Sequence, residues 1–177
     1  MDRYLKVLLG VFSVLGIPAQ GMALELFGVE LESASRDQLR EAVKQAGLVL
    51  IREGGDEEWF DVYDSSAVMA GSSRLYLGFV KQDQRFAFAE YEFNGLDPGP
   101  VLRNLTRKYG AADTRKGRFA SDTSYRWQLD GVQIRLRSDW QNYKTRLSYV
   151  IPANLASLRA ERAANRSEPE KPSISVY

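Results

Sequence analysis

The chain has 177 residues, room for one domain or two small ones, and an ordinary globular composition with a formal net charge of +1. It has no Cys and no His, which excludes disulfides, thiol nucleophiles, Ser–His–Asp triads and zinc sites built on cysteine or histidine. The chemistry left open runs through carboxylates, lysines, or Ca²⁺ and Mg²⁺ on oxygen ligands.

At the N-terminus, Arg3 and Lys6 precede an apolar run, Val7 to Ile17, that is too short to cross about 30 Å of hydrocarbon as a helix. Pro18 breaks the run, and Gly21-Met22-Ala23 places small residues at −3 and −1 of a cleavage site. Residues 1–23 are expected to be a secretory signal directing the rest to the periplasm; a buried N-terminal helix and an uncleaved anchor are the alternatives. Leu24–Leu31 then reads as a short leading strand. Ser35-Arg36-Asp37-Gln38 fits a capping box, and Leu39, Ala42, Val43 and Ala46 follow at helical spacing up to Gly47, so the pattern predicts a helix over Arg36–Ala46. Strands are expected at Leu48–Arg52 and Trp59–Asp64, then a loop over 65–73, then a hairpin of Arg74–Lys81 and Arg85–Phe93. In the last of these Phe86 and Phe88 share one face, and Ala87, Ala89, Tyr91 and Phe93 share the other. Asn94–Pro100 is rich in turn residues and forms the best internal boundary.

Beyond that boundary a helix is expected over Val101–Tyr109, stopped by Gly110, followed by a polar loop and three strands, Thr123–Leu129, Val132–Arg137 and Tyr143–Ile151. Asp130-Gly131 fits a two-residue turn with positive φ at both positions. It sets Leu129 against Val132, Trp127 against Ile134 and Tyr125 against Leu136, and a slip of one residue would scatter these apolar partners. On the other face Gln128 meets Gln133 and Arg126 meets Arg135. Ala153–Asn165 can form a helix anchored by Leu155 and Leu158. Ser167–Ser173 is expected to be disordered, and Ile174–Tyr177 is a segment able to add to a sheet edge.

The expected fold class is α+β: a first, acidic unit over 24–96 and a second, basic unit over 97–152, each a helix plus an antiparallel sheet. A helix and tail over 153–177 follow. Aligning Leu39-Arg40 with Leu102-Arg103 brings Gly47 onto Gly110, so the units read as a possible tandem repeat. Phe27-Gly28-Val29-Glu30-Leu31 with its capped helix, and Leu105 through Lys108-Tyr109-Gly110-Ala111 with the Trp127 hairpin, resemble the small envelope lipoproteins of the SmpA/OmlA type. Two such units in tandem are similar to the architecture of the β-lactamase inhibitor protein. The resemblance implies a binding module that uses a sheet face or edge. It carries over no functional residue, and the family's lipidated cysteine has no counterpart here.

Charge is the informative feature. Residues 24–96 hold 7 basic and 14 acidic side chains, net −7, whereas 97–177 hold 15 and 8, net +7. The strand register aims Arg126, Arg135, Arg137, Lys144 and Arg146 away from the core onto one sheet face. Trp140, in the following loop, is the aromatic expected to be most exposed. These six residues are the candidate partner-binding site. Acidic residues cluster at Glu53, Asp56, Glu57, Glu58, Asp61 and Asp64. Two solvated faces, an acidic half meeting a basic half within or between copies, and an anionic external partner are the competing readings. The partner would be a protein or another anionic envelope component, not nucleic acid, because the outward face lacks interleaved aromatics that stack bases.

No catalytic, cofactor or metal motif stands out. The acidic stretch matches no EF-hand spacing, the serines at 65, 66, 72 and 73 have no imidazole, and Glu90 and Glu92 on one strand could lie near each other as a carboxylate pair, but nothing marks a cleft. The sequence thus points to an exported, non-enzymatic binding protein, an envelope accessory protein ahead of an immunity or enzyme-inhibitor protein. A carboxylate-dependent enzyme is the remaining alternative. Self-association is open, and no membrane-spanning segment is expected once the signal is removed.

Overall fold

The computed structural model describes residues 24–55, 59–117 and 123–167. The expected signal, the acidic triplet Asp56-Glu57-Glu58 and the tail from residue 168 onward lie outside the described residues.

The first segment differs from the expected single strand. It is a hairpin of β1 (Glu25–Leu26) and β2 (Val29–Glu30). Phe27 and Gly28 sit at φ +54° and +77°, the two positive values that a tight hairpin turn requires, and the bulky Phe27 hides that turn from the sequence. Helix α1 (Arg36–Gln45) carries the expected capping box: Gln38 N–H donates to Ser35 Oγ, and Ser35 N–H donates to Gln38 Oε1 at 3.0 Å. Leu39 and Val43 are its buried stripe, and Gly47 turns the chain at φ +86°.

Four strands follow: β3 (Val49–Arg52), β4 (Phe60–Asp64), β5 (Ser72–Phe79) and β6 (Phe86–Asn94). Then come α2 (Gly99–Tyr109), β7 (Asp113–Arg115), β8 (Ser124–Leu129), β9 (Val132–Asp139), β10 (Lys144–Val150) and α3 (Pro152–Ser167). β7 lies in what reads as a polar loop; its three residues are all exposed, so it carries no alternation to detect.

The fold is α+β with an antiparallel sheet. Its eight strands run in the order β3-β4-β5-β6-β10-β9-β8-β7. A helix followed by a four-stranded meander occurs twice along the chain, but the meanders merge where β6 pairs with β10 from Phe88↔Val150 to Asn94↔Lys144. One buried cluster joins Leu39 and Val43 of α1 and Leu105 of α2 to Leu75, Tyr91, Ile134 and Leu147 of the sheet. The two halves therefore share a sheet and a core rather than forming separate units.

The β8–β9 register is the expected one throughout, Trp127 opposite Ile134 and Arg126 opposite Arg135. Of the two turn residues, Asp130 alone takes positive φ, +38°. Trp127 is buried and donates Nε1–H to Gly110 O at 3.0 Å, tying the end of α2 to the sheet. In β6 a bulge opposite Gly78–Phe79 shifts the alternation, so Phe86 joins Ala89, Tyr91 and Phe93 in the main core. Ala87 and Phe88 belong to a second cluster on the opposite side, with Val80, Trp59, Leu155 and Leu158. Thus α3 covers one end of the sheet face that α1 and α2 leave open. Its placement is fixed by Asn154, which donates to Phe86 O, and Glu161, which accepts from the Lys81 and Gln82 N–H groups.

The acidic cluster is not a free face at Asp61. That side chain is fully buried, and Arg36 and Arg40 each bind it through two nitrogens, with Gly54 N–H donating at 2.7 Å. Arg40 also pairs with Glu53 at 2.7 Å. Burial by itself raises the Asp61 pKa, but the hydrogen bonds from Arg40, Arg36 and Gly54 outweigh it and hold the carboxyl at about 2. The unfolded chain, with the ordinary higher pKa, takes up this proton first as pH falls. Stability from Asp61 is therefore fully present above pH 4 and is lost as pH falls through about 2. Urea unfolding at pH 5, 3 and 2 is expected to show this acid loss in the native sequence and a flatter profile in Asp61→Asn.

Candidate functional site

Alternation along β4, β5, β6, β10, β9 and β8 places three rows of side chains on the sheet face opposite α1 and α2. One row reads Asp64, Arg74, Glu92, Arg146, Arg137. The next reads Val62, Tyr76, Glu90, Ser148, Arg135, Arg126. The third reads Phe60, Gly78, Phe88, Val150, Gln133, Gln128.

The five predicted cations do share this face, but they divide into two groups. Arg146 is bound on three sides: Nη1 to Glu90 at 2.6 Å, Nε to Asp139 at 2.8 Å and Nη2 to Glu92 at 3.4 Å. Lys144 reaches Glu92 at 3.3 Å and Asn94 Oδ1 at 2.6 Å. Burial lowers the Arg146 pKa and the bonds to Glu90 and Asp139 more than restore it, leaving it raised. Here the acidic half of the chain meets the basic half, along the β6–β10 seam. The Glu90 and Glu92 carboxylates are held by cations, which takes up the pair considered for cleft catalysis.

Arg126, Arg135 and Arg137 form the second group. All three are exposed, and among the described residues no ion pair engages any of them. Among the described residues Arg135 donates to Gln133 Oε1 alone, at 2.9 Å. Partial desolvation, then the charges of Arg126, Arg137 and Arg159, push its guanidinium pKa below the ordinary value. Four like charges held together cost energy unless an anion joins them.

Beside this group lies a groove of about 680 Å³ between the sheet face and α3. Trp59, Phe60, Tyr76 and Phe88 form its aromatic wall, and Leu155 and Ala156 of α3 its rim. The aromatic rings meet at 5.4–5.5 Å in tilted or edge-on pairs, Trp59 with Phe88 and Phe60 with Tyr76. Gly78 makes the wall possible: a Cβ there would collide with the Phe88 ring. Arg162 lies over Trp59 at 4.9 Å and braces it from α3. Arg135, Arg137 and Arg159 close the opposite side.

Arg159 and the aromatic wall were not among the predicted site residues. Arg159 is four residues after Leu155, so helical spacing alone puts it on the same flank. A glycine inside an aromatic strand was the available signal for Phe88. Trp140 is 55% exposed, as expected, but it lies past Asp139 in the β9–β10 turn and does not line the groove.

Removing the central cation should expose the cost of the seam. Arg146→Ala is expected to lower stability by about 2 kcal/mol in urea unfolding, because three carboxylates lose their shared partner. Arg146→Lys should recover only part of that, since an ammonium cannot present the same fork to three acids.

Among the described residues no cluster of three or more acidic side chains is arranged to hold a metal ion, and no helix is long and apolar enough to cross a membrane. No protein-family model matches the chain, and no match was found among curated proteins. Among solved structures the chain is similar to a DUF4309 family protein (YjgB) from Bacillus subtilis, at 12% identity and a TM-score of 0.45, over 73% of this chain and 87% of that one.

Proposed function

We propose that this is an exported, non-enzymatic binding protein of the periplasm that holds an anionic protein or another anionic envelope component on its open sheet face. The observation that carries the reading is the separation of the cations. Lys144 and Arg146 are neutralised by the chain's own carboxylates, whereas Arg126, Arg135 and Arg137 stand together with no acidic neighbour engaged among the described residues. Surface charges that serve solubility alone are usually interspersed with opposite charges; here Asp139 at the end of β9 is engaged by Arg146, and Asp113, opposite Arg126 on β7, makes no ion pair with it. Export rests on the Arg3-to-Ala23 pattern. The mirrored strand order, each half a helix then a meander, supports reading the chain as a tandem duplication of the SmpA/OmlA kind.

Within this class an envelope accessory role is favoured over an immunity or inhibitor role, and self-association through the same face is a further form of it. The test is capture of partners from envelope extract on the immobilised protein at low and at high salt. A partner retained at low salt and released at high salt supports the reading; capture that is absent or indifferent to salt opposes it.

A further inference from the structure

We propose that the groove between α3 and the open sheet face is a binding site for a small amphiphilic organic anion: one sulfonate, phosphate or carboxylate group joined to an aromatic or aliphatic body. The inference rests on the anionic-partner reading above and deepens it by naming a ligand class and a place. Its volume of about 680 Å³ lies in the range of small-molecule sites. The two sides of the groove are chemically opposite. Trp59, Phe60, Tyr76 and Phe88 are only half-buried, so their apolar surface is available to a ligand that lies under α3.

Facing them, the groove-lining charges are four arginines and one glutamate, net +3, and the glutamate is already bound to Arg146. Arg135, Arg137 and Arg159 are therefore left to the ligand. Planar guanidinium groups suit an oxyanion with two or three oxygens, and a cleft lined by one sign of charge concentrates that ion. An anion alone would leave the aromatic wall wet, and a neutral apolar molecule would leave the arginines repelling one another. A molecule bearing both parts satisfies both walls.

The probe is 8-anilinonaphthalene-1-sulfonate, an aromatic anion whose fluorescence rises on burial, with the uncharged N-phenyl-1-naphthylamine as its counterpart. The native protein should bind the anionic probe at one site. Arg137→Gln with Arg159→Gln should weaken that binding at least tenfold while changing the uncharged probe less than twofold. Ala156→Trp places an indole in the groove from an exposed helical position and should weaken both probes at least tenfold, with circular dichroism and thermal unfolding unchanged.

No binding of the anionic probe by the native protein, or equal binding in all three proteins, would overturn the proposal. So would loss of the two probes in equal measure in the arginine variant. None of these substitutions touches Arg126 or Arg135. Salt-sensitive capture from envelope extract that persists while the probe fails to bind would leave the face reading standing and remove the groove alone.

Discussion

Asp61→Ala is expected to lower the free energy of unfolding by about 3–5 kcal/mol, a large share of the roughly 5–15 kcal/mol available to a domain. Arg36 and Arg40 project from α1 onto a carboxylate that is fully buried in β4, and Gly54, in the loop two residues past β3, donates to the same group. One side chain in β4 thus joins the helix to the loop that follows β3. Removing it leaves two guanidinium groups facing each other in partly buried positions, with side-chain exposures of 22% and 28%. The loss should exceed that of either single arginine variant, because Asp61 is the shared partner. Urea unfolding of Asp61→Ala, Arg36→Ala and Arg40→Ala measures all three. A loss below 1 kcal/mol for Asp61→Ala would show that the network adds nothing to α1 docking.

The sequence made local features legible. The capping box of α1, the glycine stops and the register around Asp130-Gly131 depend on residues near one another in the chain, and each is found where its pattern lies. Long-range pairing set the rest. Arg146 meets Glu90 across 56 residues, so nothing in β10 itself shows that two of the five outward cations are already neutralised. The groove is harder still, because Trp59, Tyr76 and Phe88 come from three segments and converge only once α3 crosses the sheet end. A bulge in β6 moved Phe86 to the core side, and strict alternation has no means of anticipating one extra residue. The sequence places Asp61 in an acidic cluster but does not show it buried, because its arginine partners lie one helix earlier.

Joint reversal of Arg126→Glu and Arg135→Glu is expected to abolish salt-sensitive capture of the anionic partner while leaving the fold in place. The two residues lie directly opposite on β8 and β9, both exposed, with their side chains away from the core. Like charges at such a position cost up to about 1 kcal/mol. The reversed pair keeps that repulsion between its own members and sets a carboxylate opposite Asp113 on β7, but gains attraction to Arg137 and Arg159, so these changes offset and thermal unfolding should shift little. Binding is different. Two positive charges become two negative ones at the centre of the face, which converts attraction for an anionic surface into repulsion and should reduce the on-rate most strongly at low salt. The decisive measurement is capture from envelope extract by the native and doubly reversed proteins side by side at low salt, with thermal unfolding recorded for both. The account predicts matched unfolding curves and a partner retained by the native protein alone; equal retention by both proteins would contradict it.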